Sequence, residues 1–186
     1  MRSINQKGFS LVETIIYIGI LAVVLPAMVL LLIGMTEQTQ LIDTRARIEQ
    51  RAATLQTEIA RSLVSATAVD VTQSVFGSPE GKLVYINDAG ETITISNKST
   101  DVFFSNGPKT IQRISYIRGA NEEVWLTDPD MNVTSLQFDA VRDSSMTLTG
   151  INLDFSIELS NPDSVYRSAN FSASSTTALQ GQTIEL

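Results

Sequence analysis

The sequence predicts an α+β protein in which one long N-terminal helix packs on an antiparallel β-sheet domain. Three observations support this fold class. Residues 9–34 are almost uniformly apolar, residues 37–67 contain no Gly or Pro, and residues 82–174 alternate short β-like runs with turn residues. With 186 residues, the chain is long enough for one modest domain plus an extended element.

The first predicted element is a transmembrane helix. The run from Thr14 to Met35 holds 22 residues without a charge, and as a helix it spans roughly 33 Å, close to a hydrocarbon core of ~30 Å. A secretory signal peptide has a shorter apolar region and a small-x-small cleavage site, and neither is present. Arg2 and Lys7 precede the span, so the positive-inside rule places residues 1–8 in the cytoplasm and the rest outside.

Two residues of the apolar stretch are unusual for a simple anchor. Glu13 lies about one turn inside it, and a charged residue at the bilayer centre costs at least ~2.5–3.5 kcal/mol. Pro26 lies in mid-span, where it removes one backbone hydrogen bond and is expected to kink the helix.

The stretch KGFSLVETIIYIGILAVV (Lys7–Val24) resembles the N terminus of type IV pilins and type II secretion pseudopilins, the class III prepilins. That family has a short basic leader ending in Gly, followed by Phe and a hydrophobic helix with Glu at its fifth residue. This sequence matches the pattern at Lys7, Gly8, Phe9, Glu13 and Thr14. The resemblance covers about the first 30 residues in detail and the rest in general plan. The length and the segment FSASSTTALQ resemble minor pilins or pseudopilins more than a minimal major subunit.

The resemblance implies that a prepilin peptidase cuts between Gly8 and Phe9 and methylates the new amine of Phe9. Residues 1–8 would then be the leader, residues 9–35 the transmembrane and assembly helix, and residues 36–186 an exported α+β domain. Its implied partners are that peptidase, other pilin or pseudopilin subunits, an inner-membrane assembly platform and the lipid bilayer.

Prepilin cleavage gives Glu13 a role. Glu13 is four residues after Phe9 and on the same helix face. It can pair with the new ammonium of its own chain or of a neighbouring subunit, which would set the axial register of a helix bundle. The alternative is a carboxylate that reaches the cytoplasmic interface from the helix end.

The second half of the helix is predicted from one apolar stripe. Its members fall 7, 4, 3, 4 and 4 residues apart: Leu41, Ile48, Ala52, Leu55, Ile59 and Leu63. The stripe is short for a free coiled coil, so we expect it to pack on a sheet of the same chain. The helix is predicted to be unbroken from Phe9 to about Thr67.

Eight β-like runs follow the helix. They cover residues 82–86, 91–96, 101–105, 110–117, 123–127, 133–141, 151–159 and 165–174. The sequence N-D-A-G at 87–90 predicts a hairpin between the first two. In residues 151–159, Leu, Phe and Ile alternate with Asn, Asp, Ser and Glu, which indicates a half-buried antiparallel strand.

The composition excludes several kinds of chemistry. The chain has no His and no Cys, which excludes Ser-His-Asp and Cys-His catalysis, thiolate metal sites and disulfides. Its net charge of −7 opposes the Lys/Arg excess that a nucleic-acid-binding surface needs. We therefore expect no enzymatic activity and no nucleic-acid partner.

One segment is a weak calcium candidate, and no other cofactor is indicated. TDPDMN (127–132) places Asp128, Asp130 and Asn132 at alternate positions, as at the start of an EF-hand loop. The rest of the pattern fails, because Val133 stands where Gly is needed and Asp139 where Glu is needed. Some pseudopilins bind calcium in this half of the domain, but an acidic turn is the favoured interpretation.

The sequence therefore predicts a structural subunit of a type IV pilus or a type II secretion-like pseudopilus, which polymerises through its apolar helix. The alternative is a singly membrane-anchored, exported binding or sensor domain that does not assemble. Both interpretations describe a single-pass cytoplasmic membrane protein with an extracytoplasmic C-terminal domain. In the first interpretation, the protein becomes part of a pilus or pseudopilus after assembly.

Overall fold

The computed structural model describes residues 10–121, 123–159, 170–179 and 184–185. The chain divides into two compact units, Met1–Asp43 and Thr44–Leu186. Within the described ranges there are one helix, α1 (Leu11–Val64), and nine strands. The strands are β1 (Ala66–Val69), β2 (Lys82–Asn87), β3 (Thr92–Phe104), β4 (Gly107–Arg118), β5 (Val124–Trp125), β6 (Met131–Arg142), β7 (Leu148–Leu159), β8 (Asn170–Ala178) and β9 (Ile184–Glu185). The α+β class is confirmed.

The helix α1 has favourable charges at both ends. Its first turn carries Glu13 and its last turn carries Arg61, each of which complements the helix dipole. The helix is continuous from Leu11 as predicted, but it ends at Val64, three residues before the expected end near Thr67, because the chain enters β1 at Ala66. Residues 66–69 form a strand because their backbone pairs with β2 and β9. The local sequence does not show these pairing partners.

The first sheet has six strands in the order β5-β4-β3-β2-β1-β9. Its pairs are antiparallel except for β1 with β9, which is parallel. The predicted runs 91–96 and 101–105 are one strand, β3. The polar residues between them, Asn97 to Thr100, pair with Ile114 to Ile111 of β4, so their polarity reflects partial exposure and not a turn.

The second sheet has three antiparallel strands in the order β6-β7-β8. In β7 every apolar residue from Ile151 to Leu159 is buried and the polar residues between them are half-buried, which confirms the predicted alternation. The strand expected at 165–174 begins at Asn170 in the described residues, and residues 165–169 lie outside them. The predicted β domain therefore consists of two sheets among the described residues, and the β1–β9 pair departs from the predicted antiparallel arrangement.

The core of unit Thr44–Leu186 joins the helical stripe to both sheets. Ile48, Ala52, Leu55, Ile59 and Leu63 are 0–3% exposed, as the periodicity predicts; the side chain of Leu41 lies outside the described part. They cluster with residues of the first sheet and of the second: Leu83, Tyr85, Ile93, Ile95, Ile114, Met131, Leu136, Phe138, Leu153, Phe155 and Ile157. Full burial of each large apolar side chain contributes about 1.5–3 kcal/mol, so this unit has a core of its own.

Candidate functional site

The apolar half of α1 is the first candidate site. Leu11–Thr36 is 26 residues long and sufficiently apolar to cross a membrane, by length and composition. Its large apolar side chains from Leu11 to Met35 are between 46% and 78% exposed. A soluble monomer rarely exposes so large an apolar surface, and the length of the segment is compatible with a membrane span.

Glu13 lies on this apolar surface, in the first turn of the helix and exposed. The turn is closed by Thr14, whose N–H donates to the Ser10 carbonyl at 3.1 Å. A carboxylate is favoured at a helix N terminus by the dipole. Gly8 and Phe9 lie outside the described residues, so the cleavage site and the pairing of Glu13 with the Phe9 amine stay predictions.

Pro26 lies inside α1, which is assigned as one continuous helix through it. The predicted kink stays a prediction. Two glycines of the same segment, Gly19 and Gly34, have open space around them, since an added Cβ would meet nothing within 4 Å. Glycine lowers helix stability by about 1 kcal/mol relative to alanine, and packing among the described residues gives no reason for glycine at either position.

The acidic segment at 128–132 is an ion-paired turn on α1. Asp130 Oδ2 accepts a hydrogen bond from Arg47 Nη2 at 2.6 Å, and Asp128 Oδ2 lies 3.0 Å from Arg51 Nε. Both arginines belong to the helical part of unit Thr44–Leu186. These ion pairs hold the turn that precedes β6 against the helix.

The Asn132 side chain forms hydrogen bonds with residues other than the two arginines. Its Oδ1 accepts from the Gln112 backbone N–H at 2.8 Å, and its Nδ2 donates to Glu158 Oε1 at 2.6 Å. Asp128, Asp130 and Asn132 therefore have different partners in the described residues, and the calcium alternative stays a prediction. In the described part of the chain, no group of three or more His, Cys, Asp or Glu residues is placed to hold a metal.

The sequence analysis does not identify Arg47 and Arg51 as partners of the acidic segment. Arg47 and Asp130 are 83 positions apart in the chain, and no local pattern tells which face of the helix the acidic turn meets.

A groove of about 450 Å³ lies between the end of α1 and the first sheet, within unit Thr44–Leu186. The groove is lined by acidic, basic and hydroxyl-bearing side chains, among them Glu58, Arg61, Ser62, Ser65, Asp88, Tyr116 and Arg118. Nearby, a hydrogen bond from Asn87 and then one from Arg118 lower the pKa of Glu91, while burial raises the pKa of Tyr85. These are structural contacts of the domain.

Three further acidic side chains of the domain each have a partner of their own. Asp139 accepts from Gln137, Asp154 from Asn152, and Asp143 from backbone N–H groups of its own turn. Trp125 lies in β5, at the edge of the first sheet, with the Arg113 guanidinium 4.8 Å from its ring centroid.

The residues that stand out chemically are therefore the exposed apolar helix and its single carboxylate, Glu13. Comparisons with protein-family models, with curated proteins and with solved structures gave no match.

Proposed function

We propose that the protein is a filament subunit of the type IV pilin and type II secretion pseudopilin kind. In this proposal it is made as a prepilin, cleaved after Gly8, methylated on the Phe9 amine and polymerised through its apolar helix. The observation that carries the proposal is Glu13, an exposed carboxylate in the first turn of a helix whose large apolar side chains are otherwise open.

The energetics of the carboxylate support assembly. An anchor gains nothing from Glu13, since a charge deep in the bilayer costs at least ~2.5–3.5 kcal/mol. Beside a neighbour's Phe9 ammonium, the same group satisfies a second charge that would otherwise be unpaired. Buried pairs of this kind are a poor source of stability but a plausible registry device.

The division of the chain fits a filament subunit. Unit Thr44–Leu186 has its own buried core, so it does not need the apolar segment to fold. Leu11–Thr36 exposes its apolar surface, which is then available to lipid before assembly and to other helices afterwards. Head-to-tail contacts that do not close generate an open helical filament.

The test is the mass of the mature N terminus. Wild-type protein isolated from its native membrane is expected to begin at an N-methylated Phe9. Gly8→Val is expected to retain residues 1–8, because a Cβ obstructs the close backbone approach that glycine allows. Gly19→Val is the matched control; it makes the same change at a glycine with open space and is expected to be cleaved normally.

A wild-type protein that keeps residues 1–8 would overturn the proposal. It would support the other candidate, a singly anchored exported domain that does not assemble.

A further inference from the structure

The β3–β4 hairpin extends beyond the strands on either side of it. β3 and β4 pair with each other along almost their whole lengths. β2 reaches β3 only as far as Ser96, and β5 reaches β4 only as far as Ser115. Residues 99–112 therefore form a two-stranded ribbon, with no hydrogen-bonded strand beside it in the described part of the chain.

The free end of this ribbon carries an exposed aromatic side chain. Phe103 is 81% exposed, more than any other large apolar side chain among the described residues, and it pairs with an exposed Pro108. The exposed polar residues Ser105 and Asn106 connect the two strands. We name residues 103–108 the ribbon tip.

The groove between the end of α1 and the first sheet lies at the other end of the same hairpin. Arg118, the last residue of β4, lines the groove together with Asn87 and Asp88, where β2 leads into β3. Phe103 lies ten residues along β3 from Ile93, the partner of Arg118, which corresponds to about 33 Å at ~3.3 Å per residue. A chain therefore cannot place its ribbon tip in its own groove.

The groove suits an aromatic side chain that is surrounded by polar groups. Ile59 and Leu126 supply buried and half-buried apolar surface, whereas Glu58, Arg61 and Asp88 are exposed at the margin. The volume of about 450 Å³ falls within the ~300–1,000 Å³ of pockets that enclose whole small molecules, so one phenyl ring fits. An aromatic anchor in a pocket with a polar rim is a common arrangement in protein interfaces.

We propose that Phe103 of one copy inserts into the groove of a second copy, so that the Thr44–Leu186 units of successive copies contact each other head to tail. The inference rests on the proposed function, because filament assembly supplies the second copy. The tip and the groove are different surfaces at opposite ends of one hairpin. A heterologous contact of this kind leaves a free tip and a free groove at the ends of the series, and it continues as an open filament if the rotation between copies does not close a ring.

The contact is too small to hold two free subunits together. A buried Phe side chain removes ~150–250 Å² from solvent, whereas a stable interface buries ~1,200–2,000 Å² in total. The ribbon tip therefore needs a high local concentration of its partner, which packing of the apolar helices provides in the proposed filament. The contact adds specificity between neighbouring units to an assembly that the helices hold together.

The experiment is site-specific cross-linking, which the chain permits because it has no native cysteine. In the full chain, Ser105→Cys places a thiol on the tip and Asp88→Cys places one at the margin of the groove; both native residues are exposed. Sheared filaments are treated with a short bis-maleimide. We expect a ladder of dimers, trimers and longer products from the double variant, no products from either single variant, and dimers alone when the two single variants are expressed together.

Phe103→Ser in the double variant tests the anchor. It is expected to lower the cross-linked fraction about tenfold, as the loss of one buried aromatic side chain implies. Met146→Ser is the matched control, since Met146 is 72% exposed in the β6–β7 turn, and it is expected to leave the ladder unchanged. Circular dichroism that matches the parent establishes that Phe103→Ser retains the fold.

Filaments that form normally but give no ladder would overturn the contact and leave the proposed function standing. Dimers from Ser105→Cys alone would also overturn it, because tips would then meet tips, and so would an undiminished ladder in Phe103→Ser. Protein that retains residues 1–8 and forms neither filaments nor a ladder would instead overturn the proposed function, and the contact with it.

Discussion

At the scale of single residues, Glu13 distinguishes an anchor from an assembling helix. It is exposed in the first turn of α1, on a surface that is otherwise apolar. An anchor is expected to be unaffected or improved when the carboxylate is removed. A packed bundle of helices is expected to be harmed, because a neighbouring amine loses its partner.

We predict that Glu13→Ala leaves cleavage and membrane insertion near normal but reduces incorporation into filaments. Leaving one member of a buried charge pair without its partner typically costs ~3–5 kcal/mol in the filament. Removing the charge also stabilises the membrane-inserted subunit, by up to ~2.5–3.5 kcal/mol, so both effects shift the protein from filament to membrane. The measurement is the amount of protein in the sheared-filament fraction relative to the membrane fraction, by immunoblot. Glu58→Ala, an exposed carboxylate later in the same helix, is the control; equal incorporation of wild type and Glu13→Ala would contradict the registry role.

Glu91 gives a prediction about pH. Asn87 Nδ2 donates to its carboxylate at 3.0 Å and Arg118 Nε at 2.5 Å, and these bonds lower the pKa of Glu91 below its ordinary value of 4.5. Because the folded pKa is lowered, the stabilisation is fully present above the ordinary value and is lost as the pH falls through the folded value.

Glu91→Gln is therefore expected to reduce stability at pH 7 and to lose less stability than the parent protein on going to pH 3. The measurement is the free energy of unfolding from urea titrations at both pH values. Glu58→Gln is the control, since Glu58 makes no ion pair in the described residues. If Glu91→Gln and the parent lost the same free energy of unfolding between pH 7 and pH 3, the Glu91 contacts would not contribute to the pH dependence of stability.

At the scale of elements, Gly81 joins the segment before β2 to β6. Its N–H donates to the Leu136 carbonyl at 2.7 Å, and the Leu136 N–H donates to the Pro79 carbonyl at 2.9 Å. A Cβ at Gly81 would clash with that same Leu136 carbonyl and lie 3.0 Å from the Phe138 ring. Glycine is thus required here by the close approach of two backbones.

We predict that Gly81→Ala lowers the free energy of unfolding by roughly 1–3 kcal/mol, since the backbone must shift to admit the methyl group. Urea denaturation measures the loss. Gly19→Ala, at a site with open space, is expected to leave the urea midpoint of the sheet domain unchanged. Equal midpoints for Gly81→Ala and the parent would show that the two segments can separate at little cost.

The elements also show what the sequence can predict. The helical stripe and strand β7 were predictable because burial imposes periods of 3.6 and 2 on neighbouring residues. The continuity of β3 was not, because residues 97–100 are ordered by pairing with β4 and resemble a loop by composition. Glu13 could be identified because it is a charged residue within an apolar run. The Arg47–Asp130 pair joins residues 83 positions apart, and no local pattern specifies such a partner.

At the scale of the whole molecule, apolar surface is divided between the units. In Leu11–Thr36 it is exposed, and in Thr44–Leu186 it is largely within the core. We predict that residues 36–186 alone form a soluble, folded monomer, because the main apolar surface has been removed. Light scattering across a range of concentrations measures this, and a tight dimer independent of concentration would contradict assembly through the apolar helix.

The parallel pair of β1 and β9 has a consequence for biogenesis. β1 follows directly after the helix, whereas β9 consists of residues 184–185, at the opposite end of the domain sequence. Until residues 184–185 have been synthesised, this side of β1 has no strand to pair with among the described residues. A chain truncated before residue 184 is therefore expected to leave that backbone edge open to proteases and to unpaired strands of other molecules.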